Sequence, residues 1–326
     1  MRKTALLLIA LVVITGCAGG FNLFGKNTDE QTILTTEYRK GSQGLVMKFI
    51  DKSPKDIVPE NGGTVIGINL ENKGAADISD GVLIISVDPE YMELGKIIDS
   101  TMEQKPEIKD NKITFKMIGA SVYNPEGTQG NILISAKTKG LQPMSQSHGV
   151  DINAKTCYKY NTIATQVVCV DSDSYDIRKR TKSCTTKPID MSDQRAPIAV
   201  KKIETNPVSK EDKIVTEFLI TINNVGGGNV ISQDGIDTAC GTGELEEDFI
   251  NNINVKVYLS SESNLLICKQ VNEKKKNMFF LEDKKLLVSC LLEHTDQTSF
   301  TESPLIVELY YGYTQTISKS ILITKS

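Results

Sequence analysis

Seven cysteines, two histidines and one dense acidic run are the residues of this 326-residue chain best equipped for chemistry. Cys17 stands alone near the start, and Cys157, Cys169, Cys184, Cys240, Cys268 and Cys290 all lie beyond residue 150. None forms a Cys-x-x-Cys pair, which argues against a zinc tetrad or thioredoxin-type redox chemistry. His148 in SQSHGVD and His294 in LLEHTD read as loop residues flanking strands, with no Gly-x-Ser-x-Gly nearby to supply a nucleophile. No catalytic residue is therefore expected. Asp171, Asp173 and Asp176 in DSDSYD are hard oxygen donors suited to calcium. The run lacks the glycine and distal glutamate of an EF-hand loop, so a solvated acidic turn is the simpler reading, with no resident metal and no cofactor. The basic RKRTK that follows, 178–182, nearly neutralises it. NVGGGN, Asn224 to Asn229, has neither a helix start nor a lysine to cradle phosphate and reads as a turn.

Cys17 has a different setting. Behind Arg2 and Lys3 runs the apolar stretch Ala5 to Ile14, too short to cross about 30 Å of hydrocarbon but the right length for a signal-peptide core. The sequence Ile14-Thr15-Gly16-Cys17 that closes it resembles the lipobox of prokaryotic lipoproteins. That resemblance implies cleavage after Gly16 and lipid on Cys17; the alternative is an ordinary secretory signal. Either way the mature chain is exported. Removing Arg2 and Lys3 moves the formal charge from -4 to -6, which makes nucleic acid an unfavourable partner.

The elements that must position the remaining residues come in two copies. LVMKFIDKSP, Leu45 to Pro54, aligns with IAVKKIETNP, Ile198 to Pro207, 153 positions later. INLENKGAADIS from Ile68 aligns with ITINNVGGGNVIS from Ile220, and YKYNTIATQVVCV from Tyr158 with YGYTQTISKSILI from Tyr311. Ile66, Ile68 and Leu70 alternate with smaller or polar residues, as do Phe218, Ile220 and Ile222, the period of a sheet with one buried face. An Asn-x-Gly turn ends each of these strands. Short strands at regular spacing, with almost no helical periodicity, predict an all-β protein of two tandem β-sandwich domains.

An alternating strand closed by Asn-x-Gly resembles the CARDB-like and related immunoglobulin-like modules of prokaryotic, especially archaeal, cell surfaces. The resemblance spans roughly Gly41 to Val170 and Pro197 to Thr324 and implies an adhesion or scaffold module without catalytic residues. The expected organisation is a signal peptide over 1–16, a lipidated tether over 17–40, sandwiches over 41–170 and 197–326, and a linker over 171–196. The second sandwich carries an inserted loop over 232–252.

Six cysteines in an exported chain predict disulfides. Cys157 and Cys169 flank Ile163 symmetrically, so a closing hairpin centred there would bridge them across adjacent strands. Cys268 and Cys290 lie on successive strands, and elimination leaves Cys184 with Cys240, which would pin the linker to the insert. The functional expectation is a non-enzymatic binding or scaffold protein, held by lipid at the outer face of the cell membrane and partnered by a protein or surface polymer. A second reading makes the acidic insert a specificity loop for a sugar or peptide. A third, a surface hydrolase, requires a deep pocket with convergent polar groups.

Overall fold

Alternating buried and exposed side chains carry most of the described residues into strands in the computed structural model. It describes residues 39–325 except 110–111, 172–183, 211–212, 242, 261–264, 272–277 and 294–299. The first repeat contributes β1 (Leu45–Phe49), β2 (Ile57–Pro59), β3 (Gly63–Asn72), β4 (Ile78–Ser86), β5 (Met92–Ser100), β6 (Glu107–Lys109), β7 (Lys112–Met117), β8 (Thr128–Thr138) and β9 (Ser147–Asp171). The second contributes β10 (Ile189–Asp190), β11 (Ile198–Lys210), β12 (Lys213–Asn224), β13 (Asn229–Ile231), the one-turn helix α1 (Ile236–Ala239), β14 (Asn252–Leu259), β15 (Ile267–Gln270), β16 (Phe279–Phe280), β17 (Lys285–Glu293) and β18 (Phe300–Thr324).

Three sheets result. A four-stranded sheet runs β1-β3-β8-β5 and a five-stranded sheet runs β10-β11-β12-β17-β15. The third, of nine strands, runs β16-β14-β18-β9-β4-β7-β6, with β13 and β2 also pairing β18. Among the described residues every strand pair is antiparallel except β2 with β18.

The centre of the large sheet differs from the sequence expectation. β9 and β18 are 25 residues each, about 80 Å at the usual rise. They pair from Ser147↔Thr324 to Asp171↔Phe300 without a register shift. Ile163, the expected tip of a closing hairpin, is a strand residue opposite Glu308. Thr162, Ile163 and Thr165 are β-branched and suit an extended strand, and the unbroken pairing with β18 holds them in one. The two repeats accordingly share one continuous sheet through the β9–β18 pair, where the sequence expectation had a hairpin closing the first sandwich. His148, expected in a loop, lies within β9 and stacks on Tyr91 with ring centroids 3.7 Å apart.

Along β9 the even-numbered Val150, Ile152, Ala154, Tyr158, Tyr160, Ala164, Val168 and Val170 are all buried. Because the buried face never switches, both smaller sheets pack on one side of the large sheet, and their apolar side chains join a single core. The repeat persists down to single hydrogen bonds. Asn72 Nδ2 donates to Ala76 O at 2.9 Å and Asn72 Oδ1 accepts from Gly74 N at 3.2 Å. Asn224 makes the same pair of bonds, to Gly228 O at 2.9 Å and from Gly226 N at 3.2 Å.

Where the repeats meet, Tyr158, Tyr160, Tyr311 and Tyr313 form a buried quartet with neighbouring ring centroids 5.6 to 6.3 Å apart. Their hydroxyls are used, as burial demands. Tyr160 accepts from Ala76 N at 3.2 Å, and its repeat counterpart Tyr313 accepts from Gly228 N at 2.7 Å. Tyr311 shares a 2.9 Å bond with Thr162, whose hydroxyl also donates to Ile198 O. Burial pushes all four phenols above the ordinary tyrosine range.

Candidate functional site

The insert is where the second repeat departs from the first, and the structure lays it on the face of the large sheet opposite the main core. Ile236 and Cys240 pack there with Cys157, flanked by Val82 and Ile84. Close approach needs a residue without a side chain beneath it: a Cβ on Gly312 would meet Ile236 Cδ1 at 2.7 Å. Lys155 Nζ donates to Ala239 O at 2.7 Å, placing a cation at the carbonyl end of α1. At the base of the insert Ser232 N donates to Phe249 O and Asn251 N to Val230 O.

Covalent links fix this arrangement. Cys157 bonds to Cys240, Cys169 to Cys184, and Cys268 to Cys290. The last joins opposed residues of β15 and β17. The other two replace the expected 157 to 169 and 184 to 240 pairs. Eleven residues of continuous strand lie between Cys157 and Cys169, so no hairpin brings them together. The bridge that crosses between repeats ties the insert to β9, and Cys184 folds back on the end of the same strand.

Beside the insert lies a cleft of about 570 Å³ with Ser232, Gln233, Asp234, Asn252, Asn254, Lys256, Leu265, Met278, Phe279 and Tyr310 among its walls. Tyr310 Oη donates to Glu308 Oε2 and Tyr258 Oη to Glu308 Oε1, both at 2.8 Å. These bonds to the carboxylate raise both phenol pKa values, since ionisation would place negative charge against it. Lys256 Nζ sits 5.0 Å from the Tyr310 ring centroid. The carboxylate thus holds two aromatic rings in place on the open sheet face, beside amide and carboxylate side chains. Such a surface can stack on a flat ligand face and hydrogen-bond its polar rim.

Of the residues singled out from sequence, the insert and the Cys157–Cys240 pair enter this region, whereas Cys169–Cys184 lies at the end of β9 and Cys268–Cys290 in the five-stranded sheet. Cys17, Asp173, Asp176 and His294 lie outside the described residues, as does the RKRTK run, and Asp171 is described only as the last residue of β9. Among the described residues no cluster of three His, Cys, Asp or Glu is arranged to hold a metal ion. The Tyr258–Glu308–Tyr310 set is not among the residues that the sequence singles out. Its signal is the alternation in VELYY, which puts Glu308 and Tyr310 on one strand face, but seeing Tyr258 join them requires the β14–β18 register.

No protein-family profile matches the chain, and no curated protein matches it. Distant structural matches are found among bacterial secreted and surface β-rich proteins. The secreted serine protease VesC from Vibrio cholerae matches over 86% of this chain and 53% of its own, at 10% identity and a TM-score of 0.22. The chain therefore spans about half of that protein. The serine-rich repeat adhesion glycoprotein Srr1 from Streptococcus agalactiae matches over 87% of this chain and 96% of its own, at 8% identity and a TM-score of 0.22. The collagen-binding domain of the Erysipelothrix rhusiopathiae surface protein RspB matches over 89% and 92%, at 11% identity and a TM-score of 0.14. Likeness this slight assigns no family and no activity. Three disulfides suit an oxidising, extracytoplasmic setting.

Proposed function

We propose that the chain is a non-enzymatic binding or scaffold protein of the cell surface, held at the outer face of the membrane by lipid on Cys17. It presents the cleft beside the insert to a sugar or peptide ligand. The observation that carries this reading is the Cys157–Cys240 bridge, which fastens the insert of one repeat to the central strand of the other. A loop held covalently over a sheet is a pre-organised wall, and pre-organisation lowers the entropic cost of binding. The insert is also the largest departure of the second repeat from the first, as expected if a shared scaffold carries one specialised loop.

Two measurements test it. The Cys17→Ser variant should move from the detergent phase to the aqueous phase, and unchanged partitioning would remove the anchor. Wild-type protein and the Tyr310→Ala, Asp234→Ala double variant would be screened side by side against glycan and peptide arrays. A ligand retained by the first and lost by the second supports the cleft; equal retention places binding elsewhere.

A further inference from the structure

The two repeats should enclose two equivalent spaces at their junction, and the described residues fill one of them and leave the other open. Counterparts are related by the repeat: Ser42 corresponds to Arg195, Gln315 to Thr162 and Val225 to Lys73. On the filled side Arg195 Nε donates to the Lys73 carbonyl, and its positive charge bears on Tyr160. Thr162 there bonds both Ile198 O and Tyr311.

On the other side the short Ser42 stands where Arg195 would be, and a cavity of about 210 Å³ opens. Ser42, Tyr158, Val225, Tyr313 and Gln315 line it. Among the described residues the buried Gln315 Oε1 has no hydrogen-bond partner, and neither has Oγ1 of Thr156, the residue opposite Gln315 on β9. Buried acceptors left unpaired are costly, and a donor from outside would relieve that cost.

We infer that this cavity receives a guanidinium group, the tip of an arginine side chain presented by a protein partner, in the place that Arg195 takes in the companion site. The chemistry matches point by point. A guanidinium carries five donors, sheds water more readily than an ammonium and stacks on aromatic faces. The cavity wall includes Gln315, whose amide oxygen lacks a partner, and Val225, the residue whose counterpart carbonyl Arg195 binds. This inference rests on neither the lipid anchor nor the cleft beside the insert.

The test is a chemical-shift titration of the full chain with N-acetyl-arginine-methylamide, against the citrulline and lysine analogues. Citrulline keeps the shape and loses the charge. The arginine probe is expected to bind at least about tenfold more tightly than either analogue. The Ser42→Arg variant, which refills the cavity from within, should abolish binding and raise Tm. Gln315→Leu, should Ser42→Arg fail to fold, is expected to weaken binding about tenfold with unchanged circular dichroism. Equal affinity for the citrulline analogue, no binding at all, or binding untouched by these substitutions would overturn the assignment.

Discussion

Lys159 on β9 pairs directly with Gly312 on β18, and the two residues hold the same position in the two repeats. A position paired with its own counterpart marks a twofold axis, so the molecule is built like an isologous dimer whose halves are joined in one chain. Tyr158↔Tyr313 and Tyr160↔Tyr311 exchange across that axis. The symmetry is broken where specialisation begins: Gly312 lies under the insert, while Lys159 is exposed.

Disulfide loss should be graded by loop length. The Cys157–Cys240 bridge closes 83 residues and Cys169–Cys184 only 15. On the chain-entropy account these are worth about 4.5 and about 3 kcal/mol. Double alanine variants of each pair, compared by denaturant unfolding, should rank in that order. Non-reducing peptide mapping should find 157 with 240, 169 with 184 and 268 with 290.

Alkaline pH should unfold the protein. The buried quartet has folded pKa values raised above 10, chiefly by desolvation, so the unfolded chain loses protons that the folded one keeps. Stability from this source is complete below about pH 10 and falls as pH rises toward the folded values. Absorbance titration should show four of the ten tyrosines ionising only with unfolding. Tyr311→Phe should shallow that slope and cost about 1 kcal/mol at neutral pH, because Thr162 keeps its bond to Ile198 O.

Matched glycines should respond alike. A Cβ on Gly74 would lie 1.7 Å from Tyr160 Oη, and one on Gly226 would lie 2.3 Å from Tyr313 Oη. Each alanine variant should lose about 2 to 3 kcal/mol by displacing a buried hydroxyl from its backbone donor. Gly227 faces open space, and Gly227→Ala should stay within about 0.5 kcal/mol of wild type. Chemical denaturation of the three variants checks the pattern.

Much of this architecture is written in local pattern. The repeat, the Asn-x-Gly turns and the alternating strands are short-range features, and Asn72 and Asn224 have the same turn chemistry in the structure. What the sequence hides is long-range pairing. Symmetric spacing of Cys157 and Cys169 about Ile163 suggested a hairpin, yet the same residues suit an unbroken strand, and only the partner β18 decides between them. Cys240 lies 83 residues from Cys157, and its partner follows from the path of the insert over Gly312, which no local pattern encodes.

Native-state hydrogen exchange tests the fused sheet most directly. If β9 and β18 pair without interruption, the amides between Asn161 and Thr165 that bond to β18 should exchange only by global unfolding, at the rate of core amides such as those of Ile68 and Ile220. Rapid exchange at Asn161 to Thr165 and at Ile306 to Tyr310, with both cores still protected, would contradict the account and restore two separate sandwiches.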